Sequence, residues 1–410
     1  MKKRKHLYVS VLLILLILTV LLNLAACLPA FCDWYGDHVY GLLADGISRL
    51  TAPVPAAIGE IVMYIAAALA LFAVIFLILL LFLRKKQGYR KFCGGYFKTL
   101  AMILVCGLFI YTVNWMIPFR GTVLGKGDTG KRTVFTYQEI RALTEYAANG
   151  ANAAAEEIAV AEDGTVQFPT VAKSEPKIAA AMQALAAEYP RLNGFYPPVK
   201  NALCSDILDR MHIGGYNYIY TMEPTRNKYL SPTYQPVLDA HELSHHKGYY
   251  KENEANFLSQ LALAQSDDPY LRFSGFYDMY NYCFADFSEA YGLAAEDVDV
   301  SDLPPMPQLH QGMTEAEKDV LRQHLQRYEE VLGAQPELTP HAYAIIEHGR
   351  VIEQDIYQAD AHPIDEMPAV QTAIEETAEI GWKTHGEVLQ ENSYDGVTLL
   401  LLQYFDGKLF

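Results

Sequence analysis

Residues 241–257 read HELSHHKGYYKENEANF, a run that carries the residue types of a metal site. On a helix, side chains four residues apart lie on one face, so His241 and His245 can present two imidazole nitrogens to one zinc ion. Zinc sites in proteins need at least three protein ligands, and a catalytic site keeps one more position open. Glu252, seven residues after His245, is predicted to supply the third ligand.

The same run predicts two helices joined by a short turn. Gly248 is predicted to end the first helix, because glycine is favoured just after a helix C-terminus. The second helix is predicted over residues 251–265, where apolar side chains recur at helical spacing. This would place Glu252 in its first turn, folded back onto the metal. Asn256, one turn later on the same face, is predicted to hydrogen-bond a ligand, and Glu254 is an alternative third ligand.

Glu242 is the predicted general base. It follows the first histidine and is rotated about 100° from it around the helix, so it points beside the metal. Zinc lowers the pKa of a bound water to about 7, and a neighbouring carboxylate can take the proton, so that the resulting hydroxide attacks a polarised carbonyl. The same proton can then pass to a leaving amine. His246 is turned away from the other two histidines and is predicted to lie at the surface or towards a substrate.

The motif HELSH with a following glutamate resembles the gluzincin metallopeptidases, in which the third ligand often opens a Glu-x-x-Ala-(Asp or Asn) pattern. Glu252 to Asn256 fits that pattern, which favours Glu252 over Glu254 as the ligand. More narrowly, HELSHHKGYYKENEANFLSQLA resembles an uncharacterised bacterial membrane family, domain of unknown function 3810. The resemblance extends to Trp34-Tyr35, to residues 55–60 and to residues 393–397. It implies a zincin-like fold and a zinc peptidase activity, and it supplies no substrate.

Three apolar stretches predict membrane-spanning helices at about residues 7–26, 56–83 and 100–117. Cations cluster before the first stretch and between the second and third, whereas the loop between the first two has only Arg49. The positive-inside rule therefore predicts a multi-pass protein of the cell membrane, with its N-terminus in the cytoplasm and its C-terminal part outside. Alternatively, Leu24-Ala25-Ala26-Cys27 resembles a lipoprotein signal, which would leave Cys27 lipidated.

Charge divides the chain in the same way. The residues after 117 contain 21 Lys and Arg against 44 Asp and Glu, a formal net charge of −23. So acidic a domain is not expected to bind nucleic acid or to lie flat on anionic lipid. The predicted organisation is a membrane region over residues 1–117, a glycine-rich linker over 118–133 and a metallopeptidase domain over 134–410. The fold class is mainly α: the outer domain is a mostly helical, zincin-like α+β domain with a small sheet.

Other patterns complete the predicted domain. Helices are predicted over residues 137–160, 175–189, 199–212 and 314–332, the last with a capping box of Thr314 and Glu317. Tyrosines alternate along residues 215–221, which is typical of a strand. The resemblance suggests that this strand runs beside an extended peptide, although it could equally pack on its own helices. Residues 341–357 are predicted to form a small hairpin. Cys204 and Cys283 are the two cysteines of the outer part, where a disulfide is possible.

The sequence thus predicts a membrane-anchored zinc metallopeptidase that hydrolyses peptide bonds, with a peptide or protein substrate and the lipid bilayer as partners. The alternative is a non-catalytic domain, stabilised by zinc and acting as a sensor or binding module, which would hold the ion with four protein ligands. A transport role is disfavoured because the spans carry almost no ionisable residues, which usually mark ion pathways.

Overall fold

The computed structural model describes residues 2–125, 131–308, 310–389 and 396–410. Part of the predicted linker, residues 126–130, and part of the C-terminal match, residues 393–395, lie outside the described residues. In the part of the chain that the structure describes, helices predominate and one small sheet is present, which confirms the mainly α prediction.

The N-terminal region is helical throughout. Its helices are α1 (Lys2–Ala25), α2 (Pro29–Tyr35), α3 (Gly41–Thr51), α4 (Ile58–Leu83), α5 (Gln87–Tyr111) and α6 (Ile117–Phe119). Two π-helical turns, Gly36–Tyr40 and Thr112–Met116, join α2 to α3 and α5 to α6. The second of these makes α5 and α6 one continuous helix.

Three of these segments are long and apolar enough to cross a membrane: His6–Ala25, Ile58–Leu83 and Gln87–Phe119. The first two match the predicted spans closely. The third begins thirteen residues before the predicted start at residue 100. The cations that suggested a loop, Lys91 and Lys98, lie within its first turns instead. Their long side chains can extend from a helix end to the membrane surface, so they do not require a loop.

The C-terminal region contains a helical layer and a small sheet. Its helices are α7 (Tyr137–Glu156), α8 (Val171–Ala184), α9 (Ser205–Arg210), α10 (Gln235–His246), α11 (Glu252–Ala264), α12 (Pro269–Glu296), α13 (Glu315–Leu332), α14 (Pro340–Ala359), α15 (Pro368–Leu389) and α16 (Gly396–Phe405). The strands are β1 (Lys200–Asn201), β2 (Gly215–Tyr218) and β3 (Glu223–Arg226). Their order is β1-β3-β2, with β1 parallel and β2 antiparallel to β3.

The core forms where α7 and α12 pack side by side against α10, α11 and α16. α7 is rich in alanine on its buried face, which allows the bulky aromatic side chains of α12 to approach closely. Phe273, Phe276 and Phe287 of α12 are buried there and belong to the core. The capping box of Thr314 and Glu317 at the start of α13 is confirmed.

Two secondary-structure predictions were wrong. Residues 199–212 form β1 and the short α9 instead of one helix, because Lys200 and Asn201 pair with Thr225 and Arg226 of β3. Residues 341–357 belong to α14 and form no hairpin. Thr339 caps that helix, Pro340 occupies its first position, and its buried side chains recur at helical spacing: Ala342, Ile345, Ile346.

The possible disulfide between Cys204 and Cys283 is not formed. Both thiols are free. Cys283 is buried in the core on α12, whereas the Cys204 thiol lies 2.7 Å from a carboxylate oxygen of Glu60 at the start of α4. Burial and that carboxylate raise the pKa of the Cys204 thiol to about 12, so it stays protonated.

The C-terminal region is joined to the long apolar helices by buried polar contacts at one end of those helices. Glu223 of β3 accepts hydrogen bonds from the backbone N–H groups of Ile58 and Gly59, which begin α4. Glu60 in turn accepts from the backbone N–H of Leu203 in the domain. Lys200 pairs with Glu223 and donates to the carbonyl of Thr51. The loop between the first two spans and the C-terminal domain therefore lie at the same end of the helices.

Candidate metal centre

Three potential metal ligands converge where α10 meets α11. His241 and His245 project from one face of α10, and Gly248, with φ of 90°, reverses the chain so that Glu252 at the start of α11 folds back onto them. Nε2 of His241 lies 3.2 Å and Nε2 of His245 3.7 Å from the Glu252 carboxylate. One ligand atom from each residue lies within 4.8 Å of the others. Within the described residues, this is the one group of three that could hold a metal ion.

Hydrogen bonds on the far side of each imidazole orient the two rings. Nδ1 of His245 lies 2.8 Å from the backbone carbonyl of Tyr249, an oxygen that can only accept, so the proton is on Nδ1. Nδ1 of His241 lies 2.6 Å from Oδ1 of Asn256, whose amide nitrogen donates to the Tyr282 hydroxyl over 3.0 Å. Both Nε2 atoms thus face Glu252 and are the ring nitrogens placed to meet a metal ion. Such outer partners fix the tautomer and orientation of zinc-binding histidines.

The electrostatics of the group favour a cation. Burial lowers the pKa of His241, but the hydrogen bond and charge of Glu252 outweigh burial and raise it to about 9. Burial, together with the charge on His241, lowers the pKa of His245 to about 4. Without metal, the group therefore holds one proton between a carboxylate and an imidazole. Two imidazole nitrogens and one carboxylate oxygen are a ligand set that zinc accepts, so the residues fit the ion.

Glu242 lies beside the group, buried against the sheet. A Cβ atom at Gly215 of β2 would lie 2.8 Å from its Oε1, so the strand approaches this carboxylate closely because residue 215 has no side chain. Its Oε2 has no hydrogen-bond partner among the described residues. Burial raises the pKa of Glu242 to about 8. A carboxylate in this state is suited to exchange a proton with a water molecule in the cavity.

Of the remaining predicted residues, the structure brings Asn256 to the group and places Glu254 and His246 elsewhere. Asn256 lies in the predicted place, behind His241. Glu254 points away from the group and accepts a hydrogen bond from the backbone N–H of Leu124 over 2.7 Å, so it is not brought to the site. His246 is fully buried, which contradicts the prediction of a surface or substrate-side residue. It occupies the inner face of α10, and burial lowers its pKa to about 3.

The group opens into a cavity of about 890 Å³. One wall is β2, and the opposite side is formed by α10 and α11. Another wall is the end of the third apolar helix that meets the C-terminal region, through Tyr111, Trp115 and Phe119. Sequence reasoning missed this wall, because those residues lie more than a hundred positions before the motif. One signal was present in the sequence: Asn114 is a polar residue inside an apolar span, which commonly marks a contact within the protein.

β2 is an edge strand, and half of its backbone groups point away from its partner. Asn217 faces Pro224, which has no N–H, and Gly214 accepts from the N–H of Asn227 over 2.6 Å. In an antiparallel ladder, hydrogen-bonded and non-bonded pairs alternate, so the N–H and C=O of Gly215 and Asn217 point outwards from β3. These are the backbone groups that an added strand would bind.

The family described as "Protein of unknown function (DUF3810)" matches residues 35–332. The match includes α3 to α13 and the three candidate ligands His241, His245 and Glu252, here called the metal group. The chain belongs to this family. No curated protein matches the chain, and no solved structure matches it. Membership of the DUF3810 family agrees with the resemblance drawn from the sequence, and it assigns no activity.

Proposed function

We propose that this DUF3810 protein is a membrane-anchored zinc metallopeptidase. One observation carries the proposal: ligand atoms of His241, His245 and Glu252 lie within 4.8 Å of one another, directly beside a buried glutamate in a cavity. Three protein ligands leave a position for water, as catalytic zinc sites do. The chemistry follows from the site, since neither the family nor any named relative supplies it.

Each side chain has a definite task in this proposal. When bound, zinc supplies Lewis-acid polarisation of a peptide carbonyl and a lowered pKa for water. Glu242 accepts the proton of the attacking water and delivers it to the leaving amine nitrogen. Asn256 and the Tyr249 carbonyl hold the imidazoles in the tautomer that binds metal through Nε2. The outward backbone groups of Gly215 and Asn217 hold the substrate as an added strand.

The proposal includes an orientation in the membrane. Arg84, Lys85 and Lys86 lie at the turn between α4 and α5, opposite the end that carries the domain. The positive-inside rule places that turn in the cytoplasm, and the metal group then lies outside the cell membrane. Cysteine-substituted variants at the turn and in the domain, labelled with a membrane-impermeant maleimide in intact cells, test this orientation.

The first experiment is zinc analysis of the full-length protein purified in detergent. We expect about one zinc per chain, lost in His245→Ala and in Glu252→Ala, because the three-ligand set needs each member. Glu254→Ala is the matched control and should retain the metal, since Glu254 lies outside the group. Folded wild-type protein that binds no zinc would refute the proposal.

Turnover is tested separately with Glu242→Gln and a library of peptides. Glutamine keeps the shape of the side chain and removes its basicity, so zinc should be retained and cleavage lost by a factor of roughly 10² or more. A variant with zinc bound and full activity would eliminate Glu242 as the base.

The rival function is a non-catalytic zinc-stabilised sensor or binding domain. It would hold the ion with four protein ligands and no exchangeable water. Binding of a hydroxamate to the zinc-loaded protein distinguishes the two, because it replaces the water of a catalytic site and finds no open position in a site with four protein ligands.

A further inference from the structure

We infer that the substrate is a polypeptide anchored in the same membrane and cut close to the bilayer surface. This inference rests on the proposed peptidase function and adds a substrate class to it. It follows from the position of the cavity relative to the membrane-spanning helices.

The cavity that holds the metal group is partly walled by a membrane-spanning helix. Tyr111, Trp115 and Phe119 lie along one side of the third apolar helix, at the end that meets the domain, and all three are half-buried. Tryptophan and tyrosine are enriched at this level of membrane proteins, where their rings sit among the lipid headgroups. The cavity wall is therefore continuous with the surface that meets the bilayer.

The edge strand β2 leads towards the membrane helices. The ring of Tyr218 packs on Gly59 at the start of α4, where a larger residue would not fit. Beyond the strand, Tyr220 reaches the third span: its ring lies 4.0 Å from the position of a Cβ atom at Gly107. Gly107 precedes Phe119 by twelve residues, a rise of about 18 Å along a helix. A peptide paired with β2 would thus have one end directed into the bilayer.

Hydrogen bonds fix this geometry. The amide nitrogen of Asn114, in the third span, donates to the carbonyl of Ile219 over 2.7 Å, and its backbone carbonyl accepts from the Tyr250 hydroxyl over 2.9 Å. The Tyr250 ring stacks on His245 with an interplanar angle of 12°. Asn114 thus links the third span to the residue after β2 and, through Tyr250, to His245. The metal group therefore cannot move away from the third span without breaking buried contacts.

A second surface at the same end supports a position at the membrane interface. The loop between the first two spans forms α2 and α3, which expose apolar side chains: Trp34 is 52%, Leu42 77% and Leu50 80% exposed. Leu42 and Leu50 are eight residues apart and lie on one face of α3. An exposed apolar face beside membrane-spanning helices can be buried at the boundary between the lipid headgroups and the acyl chains. This loop is thus placed at the bilayer surface, at the same end of the helices as the cavity.

The test uses full-length protein in liposomes and a peptide that the detergent-solubilised enzyme cleaves. The peptide is attached to a dipalmitoyl anchor through Gly/Ser spacers of about 5 and about 40 residues, whose root-mean-square lengths are roughly 12 and 35 Å. We expect the short-spacer peptide to be cut faster, by about threefold or more, because a short spacer concentrates it at the surface where the cavity opens. The Glu242→Gln enzyme is the control for background cleavage.

The outcomes separate the two proposals. A metallopeptidase whose cavity stood far from the bilayer would cut the long-spacer peptide faster, because the short one could not reach it. Equal or reversed rates would therefore overturn the membrane-anchored substrate while leaving the peptidase intact. If no peptide is cut in any form, the proposed function fails, and the substrate inference that rests on it fails as well.

A measurement without substrate tests the same geometry. Replacing Trp34 and Trp382 with phenylalanine leaves Trp115 as the single tryptophan, since the chain has three. In liposomes, its fluorescence should be quenched more strongly by lipids with a nitroxide at the headgroup or upper acyl chain than by a water-soluble quencher. The opposite order would place the cavity wall in water and overturn the inference regardless of activity.

Discussion

Nδ1 of His241 and Oδ1 of Asn256 are 2.6 Å apart, so a residue on α11 sets the direction of a candidate metal ligand on α10. The amide of Asn256 is itself held by Tyr282 of α12. The imidazole is thereby fixed before any ion binds.

Replacing Asn256 with alanine should weaken zinc binding by about 10- to 100-fold, because the ring of His241 loses the acceptor that selects its tautomer. Competition with a chelator of known affinity measures the change. Asn256→Asp is the matched control, since it keeps an acceptor oxygen and should bind zinc as tightly as the wild type or more tightly. Unchanged affinity in Asn256→Ala would show that packing alone orients His241.

Gly215→Ala should reduce peptide cleavage by about tenfold or more while zinc content stays at the wild-type level. The added methyl group would lie 2.5 Å from the Thr225 carbonyl and 2.8 Å from Oε1 of Glu242, so the base or the strand must shift, and small displacements of catalytic groups are costly. Gly46→Ala is the control, because nothing lies within 4 Å of a Cβ atom there. A wild-type rate of cleavage in Gly215→Ala would show that displacing Glu242 or the strand does not affect the reaction.

Arg226→Met should destabilise the fold by about 3–5 kcal/mol, because it leaves the carboxylate of Asp239 buried without its cation. Nη1 of Arg226 lies 2.9 and 2.8 Å from the two oxygens of Asp239, which joins β3 to the helix that carries both histidines. Urea unfolding in detergent measures the loss.

The second change Asp239→Asn should restore part of that stability, since no charge then remains unpaired. Arg322→Met breaks an exposed pair with Asp319 and should leave the unfolding midpoint in place. A similar loss of unfolding free energy in Arg226→Met and in Arg322→Met would show that burial of the ion pair does not decide the cost.

Asp278 should make the metal-free protein less stable as the pH rises from about 4 to about 6. Burial raises the pKa of Asp278 to about 6, whereas an unfolded aspartate titrates near 3.9. The folded state therefore holds the proton more tightly than the unfolded state does. The free-energy cost of ionising Asp278 in the folded state is absent below about pH 4 and complete above about pH 6. Two pKa units correspond to roughly 3 kcal/mol.

Asp278→Asn removes that cost. The side chain accepts a hydrogen bond from Gln260 over 2.7 Å, and asparagine can keep this acceptor. We expect the variant, in chelator, to be more stable than the wild type by about 1–3 kcal/mol at pH 7.5 and equal to it at pH 4. A constant difference at both pH values would show that the carboxyl does not titrate in this window.

The metal group could be predicted because its information is local. His241, His245 and Glu252 lie within twelve residues, and the helical period together with one glycine is enough to bring them together. Asn256 followed from the same period. The direction of Glu254 could not be predicted, because it depends on the backbone N–H of Leu124, a residue far away in the chain.

Features fixed by distant partners were missed. Lys200 and Asn201 follow two prolines and precede a helical pattern, and only their pairing with β3 makes them a strand. α14 shows the opposite error: a hairpin was predicted over residues 341–357, whereas Thr339 and Pro340 together signal a helix start. Apart from Asn114, nothing in the local sequence indicated that the third apolar helix forms a wall of the cavity. The hydrogen bonds that place it there join Asn114 to residues 105 and 136 positions away.

The hydrogen bonds that Glu223 accepts from the start of α4 also bear on how the chain matures. A chain without its first 119 residues would lose some of the hydrogen-bond partners of Lys200, Glu223 and Tyr250, all buried groups. We therefore expect the metal group to assemble only after the second and third spans have entered the bilayer. Activity would then require insertion into the membrane, and a chain that stayed in the cytoplasm would not cleave the proteins around it.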